Sequence, residues 1–369
     1  VKAAIMASGE SDINSATEKA LKKVDQLLNV TLHIAVIGET GSGKSTFINA
    51  YRGLDNNDDE GAAKTGVTET TTEPQCFDHP TLPNVKIWDL PGIGTPTFTA
   101  KNYFKKVPLK NYDVFIIISS ERFKQNDILL AKELKKQRKL FYFVRSKIDN
   151  DVRAEGTKKS FNEEECLSQI RRNCIENLKE FKNVKVFLIS SLDLQKFDFE
   201  KLIETLSSDL PENKQLALLQ SAPVTSVAML KKKVVMFEKA AWAAAICSGA
   251  IGAVPLPGLS MACDSSILVS FLTKCYFAFG LDDKSIQKLS ERVNKPHLTS
   301  LINSNLIDAL AKNASLRLAA SSVVEILCQF VPFVGSGAAA VISFGTTYAA
   351  LKSGLKELEN AALMLLREA

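Results

Sequence analysis

Eight consecutive residues carry the plainest chemistry in the chain. Gly38-Glu39-Thr40-Gly41-Ser42-Gly43-Lys44-Ser45 match the pattern G-x-x-x-x-G-K-S/T. Glycines let a backbone wrap tightly and turn its N–H groups inward, toward a group rich in acceptor oxygens. Lys44 adds a positive charge for the β and γ phosphates of a nucleoside triphosphate, and Ser45 adds a hydroxyl for Mg²⁺. Thr46 follows in a helical stretch whose positive dipole end points at the same phosphates. Such a loop must leave a buried strand and enter a helix, and His33–Ile37 and Thr46–Tyr51 read as those flanks.

Asp89-Leu90-Pro91-Gly92 closes a second apolar run, Val85–Leu90. An aspartate there can hold a magnesium-bound water, and the N–H of Gly92 can turn toward the γ-phosphate. Ser146-Lys147-Ile148-Asp149 follows a third run, Leu140–Val144, and approximates the N-K-x-D or T-K-x-D pattern. The Asp149 carboxylate can accept from guanine N1–H and N2–H, a pair that adenine cannot supply. The Lys147 stem would lie over the base plane, and backbone N–H groups of Ser190 and Ser191 would complete the base pocket. Between the phosphate loop and Asp89 lies Thr65–Thr72, where a switch loop should supply a threonine to Mg²⁺ and the γ-phosphate. Several threonines compete, with Thr71 favoured. A Ras-like GTPase orients its attacking water with a glutamine just after D-x-x-G; Ile93 stands there and cannot. Glu69 is the candidate replacement, and completion of the site in trans by a partner subunit is the other route.

The chain therefore offers Lys44, Gly92 and Glu69 for catalysis. Gly38, Glu39, Thr40, Gly41, Ser42, Gly43, Lys44, Ser45, Thr46, Lys147, Asp149, Ser190 and Ser191 would contact the GTP or GDP. Ser45, Thr71 and Asp89 would hold Mg²⁺.

Positioning these residues takes an alternation of strands and helices. Val- and Ile-rich runs at His33–Ile37, Val85–Leu90, Val114–Ile118, Leu140–Val144 and Val184–Ile189 read as strands, with Gln75–Phe77 as a further edge strand. Helical segments such as Asn126–Lys139 and Glu163–Lys179 lie between them. This predicts an α/β domain with an open, mainly parallel sheet over residues 31–210. After Pro211 the strand signal stops. Helices are expected over 213–237, 239–253, 259–279, 283–291, 297–311, 314–329 and 335–367. A helix within residues 1–30 is expected to join them, giving an all-α domain from residues 1–30 and 211–369.

At 369 residues the chain is long enough for two such domains, and its formal net charge of +5 is too mild to imply nucleic acid. Seven cysteines without metal spacing or an even count suit a reducing, cytosolic setting, and no secretory leader is read. No charge occurs between Lys239 and Asp264, nor between Glu325 and Lys352. Each run is broken by a Pro/Gly turn, at 254–258 and 331–335. Two readings stay open: buried hairpins, or surfaces that meet a membrane. Lys231-Lys232-Lys233 precedes the first run and could touch anionic headgroups, or simply be a solvated helix face.

The sequence resembles the immunity-related GTPases, the interferon-inducible p47 type. The resemblance is carried by GETGSGKSTFIN at 38–49, TGVTET at 65–70, WDLPGIGTP at 88–96, FIIISSERFKQND at 115–127, FYFVRSKID at 141–149 and SDLP at 208–211. It implies a G domain on a helical domain built from both chain ends. It also implies a dynamin-like cycle, in which GTP drives self-association across the nucleotide face and that contact stimulates hydrolysis. Such proteins sit in the cytoplasm, associate peripherally with internal membranes and act in cell-autonomous immunity. In the family the switch-I glutamate is implicated in catalysis, which supports Glu69. Ser146 stands where the family usually has Thr, and switch I carries Thr where the family often has Val.

Overall fold

The computed structural model describes residues 29–56, 61–66, 73–93, 103–181, 184–252, 259–302 and 335–369, with isolated positions at 22, 306, 310 and 312. Two compact units emerge, one spanning Thr31–Thr225 and the other containing Ser226–Ala369.

The first unit is built on strands β1 (Leu32–Ile37), β2 (Gln75–His79), β3 (Leu82–Asp89), β4 (Val114–Ser119), β5 (Leu140–Arg145) and β6 (Val186–Leu188). Their order is β2-β3-β1-β4-β5-β6, parallel throughout except for the β2–β3 pair. Every residue of β4 is buried, as a strand covered on both faces requires, whereas edge strand β2 is largely exposed. Helices α1 (Lys44–Tyr51), α2 (Tyr103–Lys106), α3 (Gln125–Lys136), α4 (Ile148–Glu155), α5 (Glu163–Asn177), α6 (Phe199–Asp209) and α7 (Glu212–Ser221) complete the unit. Register aligns Val36 with Asp89 and Ser119 with Arg145, so the strand ends that carry the predicted motifs share one edge of the sheet. The chain leaves β1 between β3 and β4. That is the crevice where open α/β sheets bind ligands.

The boundary differs from the one expected at Pro211. Helix α7 belongs to the sheet unit, packing against β1 and β3 with Ala217, Leu218 and Leu219 buried. The Tyr51 and Ser221 hydroxyls meet at 2.7 Å, and Lys214 pairs with Asp113. The helix expected over 213–237 is accordingly two. Pro223 forces Ala222 to an extended ψ of 135°, and the chain regains helical form only at Val227.

The second unit holds α8 (Val227–Gly252), α9 (Leu259–Ala278), α10 (Asp283–Val293), α11 (Leu298–Leu301) and α12 (Gly335–Glu368). Helix α8 runs unbroken through Glu238, where two helices were expected. Helices α8, α9 and α12 pack on one another. Small residues let them approach closely: a Cβ on Gly249 would stand 2.9 Å from the Ala340 carbonyl oxygen, and one on Gly354 2.7 Å from Leu272. A chain of buried hydroxyls crosses the three helices. Ser248 and Ser343 meet at 2.8 Å, Ser248 donates to Thr347 at 3.0 Å, and Ser343 donates to Asp264 at 3.0 Å. The described parts of the two charge-free runs thus contribute buried faces of α8 and α12. No helix among the described residues is long and apolar enough to cross a membrane. The helices expected within 1–30 and over 314–329 lie outside the described residues.

Candidate nucleotide site

The phosphate loop turns between β1 and α1 on three glycines. Gly41 and Gly43 take φ of 78° and 92°, a left-handed backbone that a side chain would strain. At Gly38 the constraint is space: a Cβ would fall 2.1 Å from the Ile118 carbonyl oxygen on β4. The loop curls around the Lys44 ammonium, which donates to the carbonyls of Gly38 (3.2 Å) and Glu39 (3.0 Å). Ser45 donates to Asp89 at 2.6 Å, joining the first turn of α1 to the end of β3. Asp89 is buried. Gly92 hugs the loop so closely that a Cβ there would stand 2.6 Å from the Thr40 hydroxyl, and Ile93 beside it is buried. Thr46 is half-buried on α1.

The strand-end loop after β5 closes on the same place. Ser146 is buried and donates to the Ser42 carbonyl at 2.6 Å. Lys147 adopts a left-handed φ of 57° and stretches back to the Gly41 carbonyl at 2.8 Å. Asp149 stands half-exposed in the first turn of α4. Ser190 is buried just after β6, with Ser191 half-buried beside it, and the neighbouring Ile189 carbonyl accepts from Ile148 N–H at 3.4 Å. Phosphate-loop, Asp89–Gly92, Ser146–Asp149 and Ser190–Ser191 segments are thus gathered at one sheet edge. Glu69 and Thr71 lie outside the described residues.

The model of the interferon-inducible GTPase (IIGP) family matches residues 2–368. The chain belongs to the interferon-inducible GTPase family, and its enzyme class is GTPase. It is 38% identical to interferon-inducible GTPase 5 of Rattus norvegicus over 93% of this chain and 78% of that protein. Interferon-inducible GTPase 1 of Mus musculus shares 39% identity over 75% of this chain and 67% of its own. T-cell-specific guanine nucleotide triphosphate-binding protein 2 of Mus musculus shares 42% over 76% and 67%.

Several residues that brace this interferon-inducible GTPase's site escaped the motif reading. Asn49 on α1 is fully buried; its amide donates to the Ala63 carbonyl at 2.9 Å and accepts from Ala63 N–H at 2.7 Å. Arg52 donates to the carbonyls of Gly61 (2.7 Å) and Asp78 (3.0 Å) and lies 5.3 Å over the Phe77 ring. These two residues fix the loop that leads toward Thr65 to the phosphate-loop helix. Arg145, buried at the end of β5, donates to the Ser146 carbonyl and to Asp151 at 2.6 Å each, and also reaches the Ser120 carbonyl. Glu39 receives Lys124 at 2.9 Å and the Asn126 amide at 3.4 Å, tying the loop to the start of α3. Next to them Asp127 is buried and accepts from Lys124 N–H at 2.9 Å. Burial pushes its carboxyl up to about 6. All of these but Arg52 lie inside the segments that carry the family resemblance, and Glu39 within the phosphate loop itself, but nothing in the sequence pointed to their bracing role.

Proposed function

We propose that the chain binds GTP with Mg²⁺ at this sheet edge and hydrolyses it to GDP and phosphate. The observation that carries the reading is the convergence on the phosphate loop: Lys44 seated inside it, Ser45 bonded to Asp89, and Ser146 and Lys147 bonded to its carbonyls. The loop's N–H groups would hold the phosphates, with the Lys44 ammonium shared by β and γ oxygens. Gly92 would offer its N–H to the γ-phosphate. Asp149 would select guanine over adenine, with Ser190 and Ser191 beside the base. The Ser45 hydroxyl and the Asp89 carboxylate are hard oxygens 2.6 Å apart, a donor pair that suits Mg²⁺. Thr71 would be a third donor. Bound there, the ion would neutralise charge on the phosphate oxygens.

The buried Ile93 has no group to orient water, so that task falls to Glu69 or to a second subunit. With the family membership, this supports GTP-driven self-association across the nucleotide face, at intracellular membranes, in cell-autonomous immunity. Ile93 also favours a second reading, a GTP-dependent scaffold with negligible turnover. One experiment separates the two: GTP hydrolysis across a hundredfold range of protein concentration, with ATP as control. GTP-selective activity per molecule should climb with concentration. Tight GTP binding with no turnover at any concentration would make the scaffold correct. Glu69→Ala should keep GTP affinity and lose turnover.

A further inference from the structure

Arg145 is the last residue of β5, and its bonds run into the segments that surround the nucleotide site. Its main-chain carbonyl accepts from Ile189 N–H at 2.9 Å, one residue ahead of Ser190. Its side chain is buried. Nη1 donates to the Ser146 carbonyl at 2.6 Å and to the Ser120 carbonyl just beyond β4. Nη2 donates to Asp151 at 2.6 Å. Asp151 lies in the first turn of α4, two residues beyond Asp149. A guanidinium suits this place, because its rigid, permanently charged fork can reach carbonyls and a carboxylate at once.

The turn between β5 and α4 needs such a hold. Lys147 takes a left-handed φ of 57°, which a residue with a side chain keeps only where its surroundings over-determine it. Two bonds tie the turn to the phosphate loop, from the Ser146 hydroxyl to Ser42 and from Lys147 to Gly41. Neither fixes the helix that follows. Among the described residues, the Arg145–Asp151 pair is the bond that ties a side chain of α4's first turn back to the sheet. It also sorts two carboxylates. Asp149 and Asp151 share that turn, and the guanidinium takes Asp151, so Asp149 is left to the base.

We infer that Arg145 is a positioning residue for guanine recognition: by holding the Ser146 carbonyl and Asp151 together, it sets where Asp149 stands against the base. The inference deepens the nucleotide reading proposed above and rests on it. Accepting from both N1–H and N2–H takes both Asp149 oxygens in line, so a small rotation of α4 costs those bonds before it touches the phosphates.

The test titrates the full chain with GDP, inosine diphosphate and ADP. Inosine keeps N1–H and lacks the 2-amino group, so the preference for GDP over inosine diphosphate reads the N2–H bond to Asp149. ADP reads the phosphate loop alone. Asp151→Ala changes a half-buried side chain, and thermal unfolding checks that the variant folds. Its GDP affinity should fall about tenfold, its preference over inosine diphosphate should narrow, and its ADP affinity should not move. Arg145→Ala should do the same, and Arg145→Lys, a point charge without the fork, should recover part of the preference. Arg145→Ala should cost less in an Asp151→Ala background than in the unaltered chain, because the two act as one unit. A folded Asp151→Ala variant with its base preference intact would overturn the assignment. So would an equal loss for all three nucleotides, which is the mark of a merely structural role. Those outcomes leave the guanine reading standing. If the unaltered chain binds GDP, inosine diphosphate and ADP alike, the guanine reading and this inference fall together.

Discussion

Ser146 occupies the position where guanine-binding loops usually carry Asn or Thr, and its hydroxyl is committed to the phosphate loop. It donates to the Ser42 carbonyl at 2.6 Å from a fully enclosed site, with the Ser119 carbonyl at 3.3 Å as a second acceptor. A threonine could make the same bond, so the departure preserves the tie. Ser146→Ala should remove it, strand a buried carbonyl and loosen the loop. GTP affinity should fall about five- to tenfold, the equivalent of about 1–1.5 kcal/mol. Ser146→Thr should retain affinity, and a fluorescent-nucleotide titration of both variants checks the claim. Asp149→Asn should act differently, by deleting an acceptor for the base alone. GTP affinity should fall by on the order of a hundredfold while ATP affinity stays unchanged, so the preference for guanine narrows. Equal losses for both nucleotides would place Asp149 outside the base pocket. Lys44, Ser45 and Asp89 were legible because local spacing fixes their geometry. Asn49, Arg52 and Arg145 were not, because each works through backbone carbonyls that only the fold brings near.

Helix α3 begins beside the phosphate loop, and its start is governed by a buried acid. Asp127 accepts from Lys124 N–H and caps the first turn, yet enclosure holds its carboxyl up to about 6, against an ordinary 3.8. The bond from Lys124 and the charges of Lys124 and Lys44 pull it down, Glu39 pushes it up, and burial outweighs them. The folded value is raised, so between pH 4 and 6 the folded chain holds a proton that the unfolded chain has lost. This group's contribution therefore makes stability fall as pH rises through that window, and the cost is fully present above about 6. Asp127→Asn keeps an oxygen for the cap and removes the charge. The variant should be more stable at pH 7, by at most on the order of 3 kcal/mol, with a difference from the unaltered chain that vanishes near pH 4. Denaturant unfolding at several pH values measures it, and a constant difference across pH would refute the assignment. Strand existence was readable at this scale, because a sheet covered on both faces demands unbroken apolar runs, whereas the strand order came only from the fold. Helix joins were harder. Pro223 marked a break inside a periodic stretch, and three successive lysines span about 200° of a helix, wider than the exposed face of α8, so Lys233 turns inward to the Ala278 carbonyl.

The chain's division into two units is where sequence and structure part most. From Pro211 on the sequence reads as helix only, but a run of one element type does not mark a change of core. Helix α7 is all helix and yet packs on the sheet. Every described residue of the nucleotide site lies within Thr31–Thr225, and the unit has its own continuous core. A fragment spanning 31–225 should therefore fold alone and bind GTP. A fragment ending at residue 210 should not hold the same fold. It would expose the surface of β1 and β3 that Leu218 and Leu219 cover, each worth about 2 kcal/mol of burial. It would also leave the buried Tyr51 hydroxyl without Ser221, and Asp113 without Lys214. The combined loss is roughly 5 kcal/mol, comparable to the whole stability of an ordinary domain. Thermal unfolding of the two fragments, each with and without GTP, provides the comparison. The longer one should melt cooperatively and gain stability from nucleotide, and the shorter one should melt far lower or aggregate. Equal melting would mean that α7 only rests on the sheet, and that the boundary at Pro211 was right.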